Sequence, residues 1–316
     1  MEDPNPAAHA VLFSQDLLVE MWPLLDAPAK AALRGVCRAM RRVVDGSIKV
    51  VASPVSGFSA AELTAVLRCW PGVTDLTLHV SNAASTLVPL ATTSLTRLKS
   101  LTLREFAAEQ PGEAWATPGG MPALSVNLAA TLQVIDISSC VGVTFIDAVG
   151  SCAQLKCLRM PCVGVSDLSP LAACSQLEEL SMCDDHLVTS LAPLRACPKL
   201  RVIDASYCVG VTSIDAVDSC VQLRCLRMPG CCGVSDLSPL AACSQLEELW
   251  MADTGLVTSL APLRACPMLR KLDLRDCQPE LNDQVADLQL ACTQLAHPSS
   301  VRLVGLVYEL QPSMMH

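Results

Sequence analysis

Aromatic side chains are scarce in this chain: Phe, Tyr and Trp together make up 3% of 316 residues, although hydrophobic residues reach 51%. Stacked rings cannot fill such a core, so Leu, Val, Ala, Met and Cys must. Uniform small-aliphatic interiors are a habit of repeat proteins. Basic charge is also short, with 22 Lys and Arg against 31 Asp and Glu and a net charge of −9. That balance argues against nucleic acid or an anionic membrane as the main partner. No apolar run approaches the roughly 18 residues of a membrane span. The most apolar early stretch is broken by Gln15, Asp16, Glu20 and Pro23. The first residues, Met1-Glu2-Asp3-Pro4, lack the basic and then apolar regions of a secretory leader, so a soluble, unexported protein is expected.

Catalytic signatures are missing as well. The sequence holds no Gly-x-Gly-x-x-Gly, no Walker loop, no His-Glu-x-x-His and no Cys-x-x-Cys. Of five histidines, His9, His297 and His316 lie near the ends, His79 falls on a weak repeat, and His186 follows Asp184-Asp185 in what reads as an exposed polar turn. Neither an enzyme, nor a metal, nor a cofactor is expected.

What the sequence does have is a period of about 23 residues, the mark of a stacked array. Copies open at Leu132, Leu155, Leu177, Leu200, Leu223, Leu246 and Leu269, with weaker ones at Val73 and Leu98. Each begins with a run like Leu269-Arg270-Lys271-Leu272-Asp273-Leu274. Positions 1, 4 and 6 of that run should point inward and the others outward, as a short parallel strand requires. Pro170, Pro193, Pro239 and Pro262 suit the first turn of a short return helix, either 3₁₀ or one α turn. A longer period overlies this one, since residues 132–199 and 200–268 are near copies and residues 166–180 recur unchanged at 235–249.

These runs resemble the leucine-rich-repeat family, in a short form with Cys where many members carry Asn. The resemblance implies an α/β solenoid with parallel strands on a concave face and short helical or 3₁₀ returns. The 18 cysteines fit it. Cys152, Cys174, Cys197, Cys220, Cys243, Cys266 and Cys292 each stand three residues before an opening leucine, while Cys140, Cys208, Cys231 and Cys277 take the turn after the strand. Both sets read as ladders of small buried thiols donating weakly to turn carbonyls. So many free thiols point to a reducing compartment, cytoplasm or nucleus.

Ahead of the array, Phe13-Ser14-Gln15-Asp16-Leu17-Leu18-Val19-Glu20-Met21-Trp22-Pro23-Leu24-Leu25 and, further on, Val36-Cys37-Arg38 resemble an F-box, departing from its pattern at Ser14 and Met40. The resemblance implies a small α-helical module that takes a Skp-type adaptor through Leu17, Leu18, Met21, Trp22 and Leu25. It also implies a substrate receptor of an SCF-type ubiquitin ligase. The alternative is a scaffold of the cytoskeleton or axoneme whose N-terminal helices only cap the first coil.

The expected organisation is an N-terminal segment (1–11), the F-box-like module (12–50), a joining helix and cap (51–72), the repeats (73–294, with an insertion loop at 110–122 carrying Trp115) and a C-terminal cap (295–316). A protein partner is expected on the outward strand column Asp136, Arg159, Ser181, Asp204, Arg227, Trp250, Asp273. Between the two blocks Ser139 becomes Tyr207 and Ser181 becomes Trp250. Asp204, Tyr207, Arg227, Trp250 and Asp273 are therefore the candidate contact set, with Tyr207 read as strand-side.

Overall fold

The computed structural model describes residues 50–54, 74–80, 95–105, 119–120, 124, 126–138, 140, 143–161, 164–296 and 301–302. The chain divides after Val163 into two compact units.

In the first unit β1 (Val50–Pro54), β2 (Asp75–Val80), β3 (Ser100–Glu105), β5 (Val134–Asp136) and β7 (Cys157–Arg159) pair in parallel and in that order. Leu76, Leu101, Ile135 and Leu158 stand side by side in register, all buried. Two features were not foreseen. β1 extends the sheet before the first recognised repeat. Of the insertion, Gly119 and Gly120 form a short strand, β4, beside β6 (Val143–Phe145) in a separate two-stranded sheet. A short helix, α1 (Val126–Thr131), leads into Leu132.

The second unit repeats one coil. Parallel strands β8 (Glu179–Ser181), β9 (Val202–Asp204), β10 (Cys225–Arg227), β11 (Glu248–Trp250) and β12 (Lys271–Asp273) are followed by β13 (Val301–Arg302). As the run pattern demands, the first, fourth and sixth residues are buried: Leu246, Leu249 and Met251 in one coil, Leu269, Leu272 and Leu274 in the next. The return segments are 3₁₀ helices: Ser169–Ala173, Ala192–Ala196, Asp215–Ser219, Ser238–Ala242 and Ala261–Ala265. Pro170, Pro193, Pro239 and Pro262 sit in their first turns, where a missing N–H is harmless. The last return departs from this: Leu281–Ala291 is a full α-helix, α2, with Leu281, Val285 and Leu288 buried. This coil-by-coil stacking of strand and 3₁₀ return fits a leucine-rich-repeat solenoid.

Both sulfur ladders hold. Cys197, Cys243, Cys266 and Cys292 donate to Leu171 O, Val217 O, Leu240 O and Leu263 O of the preceding coil at 3.3, 3.5, 3.3 and 3.4 Å. In the turn ladder Cys208, Cys231 and Cys277 donate to Met182 O, Ala205 O and Met251 O at 3.0, 3.1 and 3.0 Å. Most of these carbonyls already accept a turn N–H, as Leu171 O does from Cys174 N and Ala205 O from Cys208 N, so each thiol adds a second, weak donor that ties one coil to the one before it. Where the turn ladder lacks sulfur, Asp185 and Thr254 take the place, and both are buried. The reading of Asp184-Asp185-His186 as an exposed polar turn is therefore corrected at its middle residue: the Asp185 carboxylate accepts the Gly164 N–H at 2.8 Å from inside the coil.

One residue before this ladder runs a row of left-handed backbone at the same 23-residue spacing: Asp184, Tyr207, Gly230, Asp253 and Asp276, with φ from 57° to 73°. Their N–H groups reach the next coil, Asp184 to Ser206 O, Tyr207 to Pro229 O, Gly230 to Ala252 O and Asp253 to Arg275 O, at 2.7 or 2.8 Å.

Candidate functional site

The outward column of the second unit is in register. Ser181, Asp204, Arg227, Trp250 and Asp273 are lateral neighbours on successive strands, and in the first unit Asp136 stands beside Arg159. Two residues earlier, Glu179, Val202, Cys225, Glu248 and Lys271 form a parallel row. Alternation puts both rows on the face opposite the core.

Trp250 lies between Arg227 and Asp273. Arg227 is exposed and pairs loosely with Asp204, Nη1 to Oδ2 3.7 Å. The Trp250 indole Nε1 donates to Glu248 Oε2 at 3.4 Å. Arg270 Nη2 and Lys271 Nζ both approach Glu248 Oε1 at 2.9 Å. Burial alone would raise the Glu248 pKa, but the hydrogen bonds from Lys271 and Trp250, with the charges of Lys271 and Arg270, hold it below the usual glutamate value. Burial pushes the neighbouring Cys225 thiol up to about 11, so at neutral pH it is a protonated donor to that carboxylate, at 3.9 Å. Beside the pair runs a further row in which Arg201 meets Glu178 at 3.4 Å, Arg224 meets Glu247 at 3.4 Å and Arg270 meets Glu247 at 3.1 Å.

Asp204, Arg227, Trp250 and Asp273 are thus brought together as the sequence implied, with two corrections. Tyr207 is not strand-side: it lies three residues beyond Asp204, in a left-handed turn at φ 59°, with its side chain 52% exposed toward the turn edge. The turn forces this, because a left-handed residue breaks the alternation that would have kept position 207 on the sheet face. Asp273 is not an open contact residue either. It is buried under Arg275, whose Nε and Nη2 grip Oδ1 and Oδ2 at 2.9 and 2.8 Å.

Sequence reasoning missed Glu248, Arg270, Lys271 and Arg275. A signal for two of them was present: 69 residues earlier, at the matching places, stand Val202 and Ser206.

Leu17, Leu18, Met21, Trp22, Leu25 and Trp115 lie outside the described residues. Among the described residues no group of three or more His, Cys, Asp or Glu is placed to hold a metal ion, and no helix is long and apolar enough to cross a membrane.

No protein-family model matches the chain, and no curated protein matches it in sequence. Solved structures show partial similarity to it. An internalin from Listeria monocytogenes is 18% identical with a TM-score of 0.45, the match covering 77% of this chain and 80% of that one. A leucine-rich-repeat protein from Leptospira interrogans is 13% identical, TM-score 0.43, covering 84% and 74%. The leucine-rich-repeat ectodomain of the receptor kinase GASSHO1/SCHENGEN3 from Arabidopsis thaliana is 17% identical, TM-score 0.47, covering 74% of this chain and 28% of that one.

Proposed function

We propose that the chain is a protein-recognition repeat array whose strand face in the second unit holds a protein partner. The observation that carries this reading is the in-register row Asp204, Arg227, Trp250, Asp273, in which an indole stands among paired charges. Aromatic and Arg side chains contribute most to protein contacts, and the charges around them set register. The fuller form of the reading is an F-box/leucine-rich-repeat protein, a substrate receptor of an SCF-type ubiquitin ligase. Leu17, Leu18, Met21, Trp22 and Leu25 would take the Skp-type adaptor while the strand face presents the substrate, so the chain acts by proximity and performs no chemistry itself. Thiols that each donate to a carbonyl of a neighbouring coil support a reducing compartment, cytoplasm or nucleus, because oxidation would break those bonds.

The second reading is a cytoskeletal or axonemal scaffold. It is favoured by β1, which adds to β2 and so ties the chain after the F-box-like segment into the edge of the sheet as a cap would be. Co-precipitation of the Skp adaptor with the full chain and with Leu18→Asp separates the two. Adaptor with the wild type alone supports the ligase reading. Adaptor in neither lane overturns it, and adaptor in both makes Leu18 irrelevant to docking.

A further inference from the structure

We propose that the partner of the strand face presents an acidic peptide segment, bound across β10, β11 and β12 around Trp250. The proposal rests on the reading of this face as a protein-binding site and assigns its ligand class.

The charges on the face are layered. In the ion pairs here the carboxylate lies underneath and the cation outside: Arg224 is 58% exposed over Glu247 at 26%, Lys271 47% over Glu248 at 14%, and Arg275 53% over Asp273 at 3%. An approaching partner therefore meets guanidinium and ammonium groups first, on a chain whose overall charge is −9. Exposed pairs such as Arg224–Glu247 and Lys271–Glu248 contribute little to stability. A partner's carboxylate can share their cations without first breaking a strong bond.

The charges are also unevenly distributed along the sheet. Over β10 to β12, Arg224, Arg227, Arg270, Lys271 and Arg275 outnumber Glu247, Glu248 and Asp273. Over β8 and β9, Glu178, Glu179 and Asp204 outnumber Arg201. Exposed Asp253 and Asp276 bound the cationic region at the turn edge.

The internal copies show that this patch is not a by-product of the repeat. At the matching places 69 residues earlier, Trp250, Lys271 and Arg275 are preceded by Ser181, Val202 and Ser206. Ser206 already satisfies its coil's aspartate, Oγ to Asp204 Oδ1 at 2.5 Å, as Ser138 does for Asp136 at 2.5 Å. The fold has no need of the guanidinium that replaces it at Arg275. Two cations and one indole were thus added at neighbouring outward sites, and Lys271 and Trp250 converge on the same carboxylate, Glu248. An aromatic anchor ringed by cations fits a peptide carrying carboxylates beside an apolar residue. A long polyanion such as nucleic acid would meet the acidic remainder of the chain, which disfavours it.

The test uses the full chain and four fluorescein-labelled probes. Three are peptides of about twelve residues, ample for three strands about 4.8 Å apart: one of Glu, Gly and Leu, and its Gln-for-Glu and Lys-for-Glu counterparts. The fourth is a single-stranded oligonucleotide. Anisotropy titrations should show the Glu peptide bound most tightly and released by salt. The double variant Lys271→Val, Arg275→Ser, which restores residues the fold already uses at the matching places, should weaken that binding about tenfold. Arg195→Ala with Arg264→Ala, which removes cations from the return side, should leave it unchanged. Equal binding of the Gln peptide, tighter binding of the oligonucleotide, or indifference to the double variant overturns the acidic class. If Trp250→Ser still abolishes peptide binding in that event, the face remains a binding site with a different ligand. If it too has no effect, the face itself is wrong.

Discussion

The ring of Tyr207 fills the space that a side chain on Gly230 would need: a Cβ built on Gly230 would stand 2.6 Å from Tyr207 Cδ1. Gly230 is also left-handed, at φ 73°, where an L side chain costs about 1–2 kcal/mol. Gly230→Ala should therefore destabilise by at least that amount and drive the ring off its seat. Adding Tyr207→Ser should recover the steric part and leave the backbone part, a coupling readable in a double-mutant cycle of urea unfolding. A Gly230→Ala protein as stable as the wild type would contradict this account of the turn.

Arg275 and Ser206 do the same work in different coils. Removing the Arg275 head with Ala strips the buried Asp273 carboxylate of its bidentate partner and should cost about 1–3 kcal/mol. Arg275→Ser should cost clearly less, because a serine at the matching place holds Asp204 in an earlier coil. Equal losses in the two variants, measured by chemical denaturation, would show that the serine cannot substitute.

The thiols set a pH limit on stability. Burial pushes Cys208, Cys220, Cys231 and Cys266 up to about 12, and Cys152, Cys197 and Cys243 up to about 11, from 9.0. An unfolded thiol ionises near pH 9 while the folded one keeps its proton. The stabilisation is therefore complete below pH 9 and is lost as pH rises toward 11 and 12. Urea midpoints should be level up to about pH 8 and fall above 9. Among the cysteines of the described residues, a thiol reagent at neutral pH should label exposed Cys232 first, then half-buried Cys183, and leave the ladders until unfolding. Rapid native labelling of Cys220 or Cys243 would refute the ladder account.

Trp250→Ser restores the residue of the earlier copy and should leave unfolding nearly unchanged while weakening partner binding by about 2 kcal/mol. Calorimetric titration with the partner against thermal unfolding of the same variant separates the two effects. Intact affinity would move the partner site off this column.

Periodicity made the coil legible. The inward leucines, the prolines and both cysteine ladders follow from spacing alone, because equivalent residues in stacked coils have equivalent neighbours. It failed where a coil departs from its siblings. Asp185 looked like surface because aspartate usually is, yet its repeat position is the turn ladder's. Tyr207 looked strand-side because it follows the strand closely. The companion residues at its repeat position, Asp184, Gly230, Asp253 and Asp276, are types that tolerate left-handed backbone, and that column was readable in the sequence. The α2 helix replaces a 3₁₀ return in a coil of nearly ordinary length, and no count of residues distinguishes the two. Of the site, the column was visible but its charge layering was not, since which member of an ion pair lies underneath depends on side-chain length and packing.

The left-handed row lies directly beside the turn ladder in the chain, and the two columns face opposite demands. At 184, 207, 230 and 253 the coils are joined by backbone N–H groups, so the side chain is spectator to that bond, and Asp, Tyr and Gly all serve. One residue later, at 185, 208, 231, 254 and 277, the side chain is buried and several of its occupants donate a bond themselves. Tolerance to replacement should therefore switch between adjacent codons: a full substitution scan should accept at 207 polar or bulky types that tolerate left-handed backbone, with β-branched residues disfavoured, and should close at 208 to all but small buried side chains. Along that margin the molecule can change its surface by drift, one coil at a time, while the stack beneath keeps its form.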